Sequence, residues 1–163
     1  MQPRGTCTRG ARYSSFWVGL DGFQSNTVEQ TGTEVDCIGS RAQYYSWHEM
    51  YPAFPVYFRN PVRPGDRFTA SVTSRGGGRY TLALADISRG WRHAIQATLT
   101  GAANSSAEVI AEAPSSSIGV LPLADFGTVR FSARADGSAL GTFNPVQIIM
   151  VNQTGLAKDA VSR

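Results

Sequence analysis

Apolar residues in this chain recur at every second position, and no segment keeps them at the three-and-four spacing of a helix. "RFTASVTS" sets Phe68, Ala70 and Val72 against Thr69, Ser71 and Thr73. "WRHAIQATLTG" alternates Trp91, His93, Ile95, Ala97 and Leu99 with polar or small neighbours. A period of two belongs to strands with one covered face. The runs are short and are cut by turn formers, for which the chain has 17 Gly and 8 Pro. "SFWVGLDG", "NTVEQTGTEVDC" (a weakly patterned strand), "QYYSWHEMYP", "FPVYFRN", "YTLALADI", "AEVIAEA", "FGTVRFSARA" and "VQIIMV" complete the expected strands. Strands at this spacing predict an all-β, antiparallel β-sandwich of two packed sheets. One domain over residues 1–163 is expected, with residues 1–13 a poorly patterned N-terminal segment.

Composition narrows the function. With 42% hydrophobic and 17% charged residues, the chain can fill a core and is not of a disordered type. No apolar run is long enough to span a bilayer as a helix, and no signal peptide is visible. The net charge of +3 is spread along the chain rather than clustered with aromatics, so neither nucleic acid nor membrane is an expected partner. Cys7 and Cys37 could be two reduced thiols or one disulfide. Two cysteines cannot make a structural zinc site, and His48 and His93 have no metal-ligand spacing, so no metal or cofactor is expected.

Two strands carry acids in unusual places. In "SSAEVIAEAPSS", alternation puts Glu108, Ile110 and Glu112 on one face. In "QYYSWHEMYP" it puts Trp47, Glu49 and Tyr51 together. Either pattern could be a solvated or edge-packed strand, or a face that holds carboxylates for chemistry. No Gly-x-Ser-x-Gly elbow, reactive cysteine context or phosphate loop competes for the role. Carboxylates and amides remain.

"FWVGLDG", "VEQTGTE", "YYSWHEMYP", "SSAEVIAEAP" and "FGTV" occur in that order, and together they resemble the glutamic peptidase, or eqolisin, family. The resemblance covers roughly Ser15 to Val151 and implies a substrate groove on a concave sheet face. It also implies a catalytic pair, Gln30 in its Gln-x-Gly context and Glu108, the first glutamate of Ala-Glu-x-Ile-x-Glu. Trp17, Asp21 and Glu49 match residues that line or brace the groove, so they are expected to bind substrate, although packing and turn capping would equally explain Trp17 and Asp21. The family likeness further implies a Cys7–Cys37 disulfide, export from the cell, and a monomer acting on polypeptide.

The residue types suit that chemistry. A carboxylate can take a proton from water and return it to the leaving amine. A neutral amide can hold the water and donate to the developing oxyanion. An ordinary Glu is ionised above a pKa of about 4.3, so such a pair can work in acid. The chain departs from the family pattern in three ways. Val109 stands where a Trp is commonest, the ends lack strands usual in the family and are expected to be truncated, and the sequence pI is about 9.1. The alternative expectation is a catalytically inactive or carbohydrate-binding sandwich.

Overall fold

The computed structural model describes residues 1–8, 10–117 and 119–162. Two compact units divide the chain, Met1–Arg130 and Phe131–Arg163. In the first, the strands are β1 (Ala11–Asp21), β2 (Val28–Ile38), β3 (Arg41–Tyr51), β4 (Val56–Tyr57), β5 (Phe68–Ser74), β6 (Arg79–Asp86), β7 (Trp91–Thr98) and β8 (Ala107–Glu112). A short hairpin follows, β9 (Ser115–Ser116) with β10 (Gly119–Val120). The second unit holds β11 (Arg134–Ala135) paired with β12 (Ser138–Ala139), a 3₁₀ turn at Leu140–Phe143, and a bridge between Val151 and Ala157.

The first unit is built from two antiparallel sheets, as alternation predicts. One has the order β4-β3-β2-β1-β8 and the other β5-β6-β7. β5 and β6 approach β2, and β5 approaches β1. Alternate residues of β6, Tyr80, Leu82 and Leu84, are almost wholly buried. Phe16, Val35 and Cys37 on the five-stranded sheet are buried too, on the face that also carries Phe16's edge-on contact with Phe126. Full burial of each large apolar side chain contributes roughly 1.5–3 kcal/mol. Phe58 stacks on His93 at 4.1 Å and on His48 at 5.3 Å, joining β3 to β7.

Three expectations change. β2 is a full eleven-residue strand between β1 and β3, not a weak one. Glu29 through Val35 are all buried, so neither face is left to display the polar half of an alternating pattern. The N-terminal segment, expected only to be poorly patterned over residues 1–13, is anchored. Ala11, Arg12 and Tyr13 belong to β1, Gln2 N–H donates to the Asp66 carbonyl at 2.7 Å, Thr6 bridges Asp125, and Cys7 is bonded to Cys37. Finally, "FGTVRFSARA" and "VQIIMV" form no long strands. Residues 126–133 and 145–150 lie outside any strand; of the two segments, Arg134 and Ala135 pair in a two-residue ladder and Val151 makes a single bridge to Ala157. A period of two makes a segment able to pair, but the ladder also needs a neighbouring backbone.

Candidate functional site

Register places the candidate pair. In antiparallel ladders, directly opposed residues share a face. Glu49 of β3 opposes Gln30 of β2, Gln30 opposes Gly19 of β1, and Gly19 opposes Glu108 of β8. One row across four strands therefore reads Glu49, Gln30, Gly19, Glu108. Two strand spacings, roughly 10 Å of backbone, separate Gln30 from Glu108. The residue between them has no side chain. A Cβ on Gly19 would lie 2.9 Å from Trp17 Cζ3, 3.0 Å from the Glu29 carbonyl and 3.2 Å from Gln30 Cβ. The Trp17 ring edge thus reaches the floor between the two polar groups.

The next row explains the Gln-x-Gly spacing. Trp17 opposes Gly32, which opposes Trp47. A Cβ on Gly32 would sit 2.2 Å from the Phe16 carbonyl oxygen and 2.7 Å from Trp17 Cβ. Only glycine lets β1 and β2 close there. Trp17 is buried and its Nε1 donates to Glu112 Oε1 at 2.9 Å, which fixes the indole and one oxygen of Glu112 together.

Gln30 is 8% exposed. Its Nε2 donates to Glu49 Oε2, so Glu49 orients the amide, while Gln30 Oε1 has no hydrogen-bond partner in the protein. Burial raises the Glu49 pKa, the Gln30 bond opposes that, and the charge of Glu112 adds to it. Glu108 is half-buried. Its Oε1 accepts from Ser106 Oγ at 3.0 Å, and the Phe23 backbone N–H also donates to the carboxylate. Both oxygens lie 3.1–3.3 Å from where a Cβ on Gly22 would stand, and Gly22 has a φ of +101°. Burial raises the Glu108 pKa, with the Ser106 and Phe23 bonds pulling the other way. Burial likewise raises Glu112, against the Trp17 bond.

Asp21 sits elsewhere. Its carboxylate is fully buried and accepts from the backbone N–H groups of Ala103 (2.9 Å), Asn104 (2.9 Å) and Ser105 (2.7 Å) and from the Ser105 hydroxyl (3.0 Å). Burial alone would raise its pKa, but these donors together hold it below the ordinary range. Asp21 thereby ties the end of β1 to the loop that leads into β8. Gln30, Glu49, Trp17 and Glu108 are brought into adjoining rows of one face, whereas Asp21 latches the loop behind Glu108.

Sequence reasoning missed Gly19, Ser106 and Glu34. Gly19 could be found only through register. Glu34 lies on the same face, four residues along β2 from Gln30, and is 7% exposed. Burial, then the charge of Asp36, raises its pKa to about 7. Glu34, Asp36, Tyr45 and Tyr57 help line a cleft of about 750 Å³, which lies roughly 13 Å along the strand from the Gln30 row.

Comparison with known proteins bears on the family and the fold. The family model of the peptidase A4 family matches residues 1–162. The chain is 29% identical over 136 residues to aspergillopepsin-2 from Aspergillus niger, covering 78% of this chain and 48% of that protein. It therefore spans about half the length of the curated relative it matches. Among solved structures, aspergilloglutamic peptidase from Aspergillus niger superposes with a TM-score of 0.79 at 23% identity, covering 93% of this chain and 94% of that one. Scytalido-glutamic peptidase, crystallised with a transition-state analog inhibitor, gives 0.79 at 21% identity over 99% and 85% of the two chains. These likenesses establish a shared fold.

Proposed function

Because the chain belongs to the peptidase A4 family, we propose that the row across β3, β2, β1 and β8 is a peptidase site, with Glu108 as general base and Gln30 as holder of the water and the oxyanion. The observation that carries this reading is the side-chain-free Gly19 between them. An amide and a carboxylate stand on either side of a gap floored by the Trp17 ring, which is where a peptide carbonyl and a water would have to meet. Ionised Glu108 takes a proton from the water as it attacks the carbonyl carbon, and the C–O bond forms as charge moves to the carbonyl oxygen. The Gln30 amide, oriented by Glu49, donates to that oxygen. Glu108 then passes the proton to the leaving nitrogen as the C–N bond breaks.

The substrate class that suits an open strand face is extended polypeptide. Trp17 and Glu49 act as groove residues here, and Asp21 supports the site from behind. A Cys7–Cys37 disulfide suits an exported protein, and the reading takes it to act as a monomer. Among the described residues, no helix is long and apolar enough to cross a membrane.

The test is digestion of a denatured protein at about pH 3–5 by wild type and Glu108→Gln, with pepstatin as control. Glu108→Gln should abolish cleavage with the fold intact, and Gln30→Ala should lose at least about 10²-fold in kcat. Normal turnover by Glu108→Gln would end the assignment. So would inhibition by pepstatin. A folded wild type with no turnover would return the chain to the inactive or sugar-binding alternative.

A further inference from the structure

Glu29 is a fully buried acid that the proposed reaction does not use. It lies on the opposite face of β2 from Gln30, toward the three-stranded sheet. Its neighbour across the ladder on β3 is Met50, which carries no charge. The titratable groups that face it are Asp21 from the end of β1 and Tyr80 from β6, and the loop beside Asp21 offers only backbone, Asn104 and Ser105. Among the described residues, no Lys, Arg or His forms an ion pair with it. Neither Glu29 oxygen has a well-formed bond from a protein donor; its own backbone N–H and the Thr27 hydroxyl lie close to the carboxylate, and that hydroxyl is directed to Asp21 Oδ2 at 3.3 Å.

What Glu29 touches matters for Glu108. Asp21 accepts four hydrogen bonds from residues 103–105, and its own N–H donates to the Ser106 carbonyl at 3.0 Å. Ser106 in turn donates to Glu108. Tyr80 Oη donates to Asn104 Oδ1 at 3.0 Å, holding the same loop from the other sheet. A short chain of contacts therefore runs from Glu29 through Asp21 and the loop to Glu108.

We propose that Glu29 is a positioning residue for Glu108: protonated, it donates a hydrogen bond to the Asp21 carboxylate and keeps the 103–106 loop in place, and ionised, it repels Asp21 and loosens that loop. Two carboxyl groups in contact can share a hydrogen bond only while one carries the proton. The pKa of Glu29, raised by burial and then by the charge of Asp21 to about 7, puts the change near neutrality. The inference rests on Glu108 being the base, and it adds an internal reason for activity to fall as pH rises.

The experiment is amide hydrogen exchange on the intact chain from about pH 5 to about pH 8.5, corrected for the intrinsic pH dependence of exchange, for wild type and Glu29→Gln. A glutamine donates an N–H to Asp21 at every pH. In wild type, protection in peptides covering 99–112 should fall roughly tenfold across neutrality while β2 and β3 hold theirs. In Glu29→Gln it should fall less than about twofold, and the alkaline limb of kcat should move up by about one pH unit with KM unchanged. Parallel loss of loop protection in both proteins would overturn the proposal. Should Glu29→Gln fail to fold, wild type decides alone, since loop protection independent of pH would overturn it equally. The exchange readout needs no turnover. A chain that cleaves nothing would sink the peptidase reading, while the loop would still report on Glu29.

Discussion

Raising the pH from about 4 to about 8 should weaken this fold, and Glu34 should account for a large part of the loss. Glu34 is 7% exposed on a central strand. Its hydrogen-bond partners are Tyr57 and, at a long 3.5 Å, the Ser15 hydroxyl. Burial, reinforced by the Asp36 charge, raises its pKa from 4.5 to about 7. The native protein therefore keeps this proton up to about neutrality, while the unfolded chain releases it near 4.5. Between those values the native state binds more protons, so stability falls as pH rises, being fully present below 4.5 and lost above about 7. At roughly 1.4 kcal/mol per pH unit, the loss is about 3 kcal/mol, a sizeable fraction of the roughly 5–15 kcal/mol of an ordinary domain. Asp36, raised by burial to about 6, acts in the same direction but is less buried and contributes less. Glu34→Gln keeps the shape and removes the titration. Urea unfolding at a series of pH values should show wild type losing about 3 kcal/mol more than Glu34→Gln between pH 4 and 8, with equal m-values. Equal losses in the two proteins would refute the reasoning.

Other outcomes follow from particular contacts. Gly32→Ala forces a Cβ to within 2.2 Å of a backbone oxygen of β1, so it should lower stability by about 3 kcal/mol or more, read as a fall in Tm; an unchanged Tm would show that the ladder yields more easily than its geometry implies. Gly19→Ala meets the edge of the Trp17 ring at 2.9 Å and the Glu29 backbone carbonyl at 3.0 Å and should cost about 1–3 kcal/mol. It should lower kcat/KM far more than it lowers stability, because the added methyl stands between Gln30 and Glu108; a proportionate loss would argue against the gap as the reaction site. Cys7→Ser with Cys37→Ser opens a bond between residues 30 apart and should cost about 3–4 kcal/mol, measured by urea unfolding. A midpoint that does not move would count against that figure.

Alternation is a local property of the backbone, and the sequence by itself therefore determined most of the strands, the antiparallel all-β class and, through five ordered motifs, the family. It also put Gln30 and Glu108 forward as chemical types. It under-read β2, because polar Gln30, Thr31, Thr33 and Glu34 are buried there and erase the apolar half of the pattern. It over-read "FGTVRFSARA" and "VQIIMV", because the ability to pair does not supply a partner. Register across four strands decided everything finer. Only the ladder sets Gly19 between Gln30 and Glu108, only packing of Trp17 explains Gly32, and only the approach of residues 103–105 turns Asp21 from a groove candidate into a latch. These arrangements depend on contacts between residues far apart in the chain, whose free energy is set by pairing and burial rather than by neighbours in sequence.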